Sequence, residues 1–218
     1  MATSESTAEA RPQSLKRARK RLKRPRNADP NASTRLDILK SAAKAFRRLG
    51  YHGATVEQIA AALHMKKGNL YYYFKNKEEI LFACHQYSLD RLLNLLEEVQ
   101  LSGARPPDKL RTLIIACVHT ILDELHGTAL ILELEALSPA HFKAVVARRD
   151  RFDRGIRQVL EEGIADGSFA PHDVKLRSFA LLGAVNWIPR WFSPGGPATS
   201  TEIADRFADY LIAGLRNS

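Results

Sequence analysis

Between Thr55 and Lys77 the chain carries two short helical spacings joined by a tight turn, TVEQIAAALHMKKGNLYYYFKNK. Isolated helices shorter than about 12 residues are marginal in water, so this pair must be held by packing. Thr55 is a helix-capping residue with Gln58 three places on, the spacing of a capping box. Val56, Ile59, Ala60 and Leu63 follow at helical intervals, His64 and Met65 make the turn, and a second helix runs from near Lys66 to about Phe74. Leu70 and Phe74 lie one turn apart on its inner face.

That arrangement turns Lys66, Lys67, Asn69, Tyr71 and Tyr72 outward. Ammonium groups, an amide and phenol hydroxyls suit a phosphate backbone and base edges. Gly68 adds no side chain, so backbone can approach a groove closely. A helix that buries Leu and Phe yet shows two tyrosines beside two lysines has the make-up of a helix-turn-helix recognition helix.

Residues 66–81, KKGNLYYYFKNKEEIL, resemble the signature of the tetracycline-repressor (TetR) family of one-component bacterial regulators, and residues 50–63, GYHGATVEQIAAAL, resemble the run into that family's second helix. The match spans roughly Arg35 to Leu81. The resemblance implies base-edge contacts from Lys67, Gly68, Asn69 and Leu70, and phosphate contacts from Thr55, Tyr71, Tyr72, Tyr73 and Lys77. The chain departs from the pattern twice: His64 stands where many relatives have glycine, and Lys66 where many have serine. The recognition helix is therefore expected to be poorly capped, with Lys66 adding a phosphate contact instead.

Charge placement agrees. The net charge is +9. Residues 1–33 carry nine Lys/Arg against three Asp/Glu, residues 34–80 nine against four, and the remainder fifteen against seventeen. All the excess positive charge lies in the first 80 residues, as in a DNA-binding end on a neutral body. Residues 1–33 lack apolar periodicity and read as a disordered basic arm, with eight basic residues in the eleven from Lys16 to Arg26. The arm is either a minor-groove contact or a solvated tail adding salt-sensitive attraction; the second reading is preferred for specificity, the first for affinity.

The rest of the chain reads as helix, giving an all-α protein of about nine helices. Residues 34–80 form a three-helix helix-turn-helix domain, whose first helix starts near Ser33 or Thr34, buries Ile38, Ala42, Ala45, Phe46 and Leu49, and ends at Gly50. Residues 81–218 form a helical effector-binding and dimerisation domain. Asn76, with Glu79, opens a long helix to about Leu101, able to carry a shift from body to head. After the break at 102–108, Leu110–Leu125 is apolar nearly all round. Residues 130–137, LILELEAL, suit strand or helix, and helix is chosen for want of a partner strand. Ser138-Pro139 caps a helix that stops at Gly167. Asp173 to about Phe192 and Thr199 to Leu215 each show two apolar faces, which predicts two packing partners, the subunit's own core and a second subunit. Pro189 should kink or end the first of these.

Candidate effector contacts are His119, Arg149, Asn186, Trp187, Arg190 and Trp191. For His119 a satisfied core histidine is the commoner case. Arg149 is read first as a salt bridge to Asp153 and second as an anion-binding group. Residues 186–197, NWIPRWFSPGGP, resemble the acyl-coenzyme A-responsive, fatty-acid-degradation repressor subgroup, although a Trp pair at this spacing is more often packing.

The expected function is a ligand-responsive transcriptional regulator: a homodimer on a palindromic operator in double-stranded DNA, released by a small-molecule effector, with an acyl-CoA thioester as the candidate. The alternative is an architectural DNA-binding protein without effector control, against which the large neutral body speaks. No phosphate loop, spaced metal-ligand set or nucleophile with a base points to an enzyme, and no cofactor is implied. No apolar run is long enough to span a membrane, and no signal-peptide core follows the basic N-terminus, so a cytoplasmic location is expected. Cys84 and Cys117 sit in apolar patterns and read as buried free thiols.

Overall fold

Helices alone make up the regular structure of residues 30–124 and 134–216, which the computed structural model describes. The basic arm up to Asp29 and the segment 130–133, expected to be helical, lie outside these residues. The chain divides into a unit from Met1 to Arg35 and a compact unit from Leu36 to Ser218. There are eight α-helices among the described residues: α1 Pro30–Gly53, α2 Val56–Ala61, α3 Lys67–Tyr73, α4 Lys77–Gln100, α5 Pro106–His119, α6 Pro139–Ala165, α7 Val174–Trp187 and α8 Ser200–Ala213. A π-helical turn, Thr120–Glu124, extends α5, and 3-10 turns cover Leu134–Ala136 and Ile188–Arg190.

Most starts and stops have a local cause. The Thr55 hydroxyl accepts the Gln58 N–H at 3.2 Å while the Gln58 side chain accepts the Thr55 N–H at 3.0 Å, closing the expected capping box. Thr199 closes a second box with Glu202 on α8, whereas Asn76, Ser138 and Asp173 cap α4, α6 and α7 only by accepting the N–H three residues on. Glu79 does not close a box on Asn76; its carboxylate accepts the Lys75 N–H at 2.6 Å. Gly50 takes a φ of 68° and breaks α1, leaving one further turn to Gly53. Helix α5 starts at Pro106, earlier than its apolar run suggests, because proline suits the first turn. Helix α7 ends at Trp187 and passes into a 3-10 turn at Pro189, which cannot supply an N–H.

The buried side chains fall into two clusters. The first packs α1 to α3 against the start of α4 and reaches Leu137 and Val145 at the start of α6, with Ile38, Phe46, Ile59, Leu70, Phe74 and Leu81 at its centre. The second fills the body from Leu92 on α4 and Phe152 on α6 down to the ends of α7 and α8. Leu49, expected in the first, is exposed, and Leu39 and Ala43 are buried instead. The expected pair of Arg149 with Asp153 is replaced at the carboxylate: Asp153 takes Arg157, one turn on, and the Ser178 hydroxyl at 2.8 Å.

Ties between elements set the head on the body. Ser41 donates to the Ile59 carbonyl at 3.0 Å, joining α1 to α2. Glu78, in the first turn of α4, accepts the Ser138 N–H at 2.9 Å and lies 2.7 Å from His141 Nδ1. Arg148 pairs with Asp90 and Arg151 with Glu97, so α6 runs alongside α4. No helix of the described residues is long and apolar enough to cross a membrane.

Candidate nucleic-acid interface

Helix α3 is seven residues long and rests on one buried side chain of its own, Leu70, with Phe74 just beyond it. Sealing two such side chains from water contributes about 2–3 kcal/mol each, enough to pin a segment with no stability of its own. The rest of α3 apart from Tyr73 then faces outward. Lys66, Lys67, Gly68, Asn69, Tyr71 and Tyr72 are exposed, Tyr72 most of all among the aromatics of the head at 78%.

The turn before α3 is where the sequence departs from the resembled pattern, and the backbone shows the cost. His64 has a φ of 54°, a region that suits glycine far better than a side-chain-bearing residue. Lys66 occupies the cap position and makes no side-chain cap bond. The Asn69 N–H, which a cap side chain would take, donates instead to the Lys66 carbonyl at 2.9 Å.

Lys67 forms an ion pair with Glu57 of α2 and lies 5.6 Å from the Tyr71 ring centre. Hydrogen bonding to Lys67 holds the Glu57 carboxyl below its ordinary range and raises the Lys67 ammonium. The pair keeps Lys67 extended across the face of α3. Tyr72 and Tyr73 meet edge to face at 5.2 Å between ring centres. Tyr73 is half-buried against the head core, so Tyr71 and Tyr72 are the tyrosines presented to a partner. A Cβ at Gly68 would meet nothing within 4 Å. The chain's own packing therefore gives no reason for a glycine there, although glycine inside a helix costs about 1 kcal/mol against alanine.

Two of the expected contacts are engaged within the fold. Leu70 has no exposed surface and cannot reach a base edge. Lys77 donates to the carbonyls of Tyr51 at 2.7 Å and Ala54 at 2.8 Å, and stands 4.4 Å from the Tyr51 ring centre. It clamps the end of α1 to the start of α4. The Thr55 hydroxyl oxygen accepts the Gln58 N–H, and hydrogen bonding from the same side chain adds to what holds the Glu57 carboxyl low. Lys75, exposed just after α3, was not picked out from the sequence; it lies outside the helical pattern that carried that reading.

The six candidate effector residues do not form one group. His119 and Arg149 are half-buried in the body, and burial lowers the Arg149 guanidinium from its ordinary value. Asn186, Trp187, Arg190 and Trp191 are exposed on α7 and the turn after it. There Arg190 lies 5.9 Å from the Trp187 ring centre, and Trp191 stacks on Phe207 of α8 at 5.9 Å. Leu176, Phe179, Gly183 and Tyr210 continue this exposed face.

Comparison with known proteins agrees with the architecture. Residues 38–84 match the family described as bacterial regulatory proteins, tetR family, and residues 103–215 match the tetracyclin repressor-like C-terminal domain. The HTH-type transcriptional repressor KstR2 of Mycolicibacterium smegmatis is 30% identical over 86% of this chain and 93% of its own length. The structure of the ketosteroid transcriptional regulator KstR2 of Mycobacterium tuberculosis superposes with a TM-score of 0.77 at 26% identity, over 85% of this chain and 96% of that one. AibR in complex with isovaleryl coenzyme A and operator DNA gives 0.70 at 28% identity, over 83% and 97%. With a helix-turn-helix head and a helical body each matched in turn, the chain belongs to the TetR family of transcriptional regulators, not to an enzyme family.

Proposed function

We propose that the chain is a dimeric repressor that binds a palindromic operator through α3 and is released from it by an acyl-CoA thioester. The observation that carries the DNA half is the outer face of α3, where Lys66, Lys67, Asn69, Tyr71 and Tyr72 surround a glycine that the fold itself does not need. The repressor relatives and the AibR complex with both isovaleryl coenzyme A and operator DNA support the effector half.

A dimer follows from the reach of α3. Seven residues read few bases, and two-fold symmetry doubles the site. The exposed apolar face of α7 and α8 is the surface on which a second copy would sit, which makes Trp187 and Trp191 interface residues before effector contacts. Residues 34–80 act as the DNA-binding domain, 81–218 as the effector and dimer domain, and the arm in 1–33 adds salt-sensitive affinity in the cytoplasm. Release is a population shift: the effector binds better to the dimer whose two α3 helices are mis-spaced for successive grooves.

The test is a gel shift on DNA from upstream of the chain's own gene, repeated with a panel of acyl-CoA thioesters and the matching free acids. Release by a thioester and not by its free acid is expected. A shift that no thioester disturbs would discard the effector class and leave the DNA-binding assignment standing.

A further inference from the structure

One residue on the outer side of the head has the wrong charge for its surroundings. Glu57 is the only carboxylate from Thr55 to Lys77, a stretch that holds four lysines. Set against a polyanion, a free carboxylate is repelled and weakens the phosphate contacts beside it. The fold does not need it: Glu57 and Lys67 have 57% and 48% of their side chains open to solvent, and exposed ion pairs contribute little to stability. An acid in the first turn of α2 suits the helix dipole. The dipole does not ask that this acid reach across to the next helix, which is what Glu57 does.

Both partners are placed by the fold. The Thr55–Gln58 capping box fixes the first turn of α2, and Val56, Ile59 and Ala60 are buried, which leaves Glu57 on the open side. Leu70 fixes the register of α3, and Lys67, its first residue, stands on the flank nearest α2. A cation at the edge of a reading helix meets a phosphate on any DNA, whatever its sequence. Glu57 takes that ammonium first, so a phosphate must displace a carboxylate to reach it. Base edges differ. A G·C pair offers acceptors at guanine O6 and N7 and a donor at cytosine N4 side by side in the major groove. An ammonium and a carboxylate held together match that edge without parting.

We infer that Glu57 is a specificity-determining residue, which joins Lys67 in a paired reader of a G·C edge and withholds the Lys67 ammonium from phosphates. The carboxylate acts by repulsion as well as by recognition. It weakens binding to unrelated DNA more than binding to the operator, and that difference is specificity. This rests on the reading of α3 as the operator-binding helix.

The experiment uses the full chain and two duplexes of equal length, the upstream DNA of its own gene and an unrelated sequence. Fluorescence anisotropy gives both affinities across a series of salt concentrations for the wild type, Glu57→Gln and the double change Glu57→Gln with Lys67→Gln, each checked for folding by circular dichroism. Glu57→Gln should bind the unrelated duplex roughly fivefold more tightly, with a salt slope steeper by about one, because Lys67 is freed for a phosphate. Its preference for the upstream DNA should fall about tenfold. Adding Lys67→Gln should return the slope on unrelated DNA to the wild-type value. Equal gains on both duplexes, an unchanged preference, or a steeper slope that Lys67→Gln does not restore would overturn the assignment while leaving α3 as the operator-binding helix. A wild type that does not prefer the upstream DNA at all would strike the operator reading and this assignment together.

Discussion

Glu78 and His141 meet at 2.7 Å, and the same Glu78 oxygen accepts the Ser138 N–H at 2.9 Å. One carboxylate in the first turn of α4 thus holds the N-terminus of α6, while the His141 ring stacks on Phe82 at 3.8 Å between centres. Partial burial pushes the Glu78 carboxyl up, but the Ser138 N–H and His141 outweigh it and hold it below its ordinary value of 4.5. A depressed carboxyl contributes stability above its unfolded value and loses it as the pH falls through the folded one. Glu78→Gln should therefore cost about 1–2 kcal/mol in urea unfolding at pH 7. The gap to wild type should narrow below pH 4.5. A gap that stays constant with pH would show that charge at Glu78 is not what ties the helices.

The turn before α3 can be repaired. His64→Gly relieves a φ of 54°, and Lys66→Ser supplies the missing cap oxygen. Each change should stabilise the chain by about 0.5–1 kcal/mol. The two should differ on DNA: Lys66→Ser removes a cation beside the phosphates and should reduce the salt slope of binding by roughly one, whereas His64→Gly should leave it unchanged. Equal salt slopes for the two variants would take Lys66 off the DNA.

Tyr72 and Leu70 separate binding from folding. Tyr72 is 78% exposed and Leu70 is buried completely, two positions apart on the same helix. Tyr72→Ala should weaken operator affinity at fixed salt with a melting temperature close to wild type. Leu70→Ala should cost about 2–5 kcal/mol of stability. Unchanged affinity in Tyr72→Ala would mean that the outer face of α3 is not the reading surface.

The residues that show how far a sequence reading reaches are the same ones. Thr55, Gln58, Asn76, Ser138 and Pro189 mark helix ends by local chemistry, and the structure puts ends at or beside all of them. The all-helical architecture follows from the same spacings. The places of Leu70 and Lys77 were not legible because a motif carries residue types and not burial: one is sealed under α3, and the other donates to the carbonyls of Tyr51 and Ala54, 26 and 23 residues back in the chain. Glu78 could be read as a first-turn acid, yet its partner is 63 residues on, and no spacing announces such a pair.

Both cysteines are sealed. Burial pushes the thiols of Cys84 and Cys117 up to about 12, so almost no thiolate forms near neutral pH. Native protein at pH 8 should give no fast reaction with a thiol-reactive dye, and two equivalents after unfolding. Rapid native labelling of either would show that the cluster holding it opens readily.

Gly183 gives the sharpest test of the dimer face. It lies on the exposed side of α7, one turn from Phe179 and one turn from Trp187, which is 64% exposed. A Cβ at Gly183 would meet nothing within 4 Å, so the chain by itself gains nothing from a glycine. Inside a helix that residue costs about 1 kcal/mol against alanine, a loss that makes sense if a second backbone must come close there. In a single chain Gly183→Leu should be harmless or stabilising, because it removes backbone freedom and meets open space. In a dimer it pushes the two α7 helices apart. Sedimentation velocity should therefore show Gly183→Leu and Trp187→Glu as monomers with wild-type helix content. Both should lose operator affinity, although neither residue is near α3 in the sequence. A Gly183→Leu protein that sediments as the wild type does would move the interface elsewhere and return Trp187 and Trp191 to the candidates for effector binding.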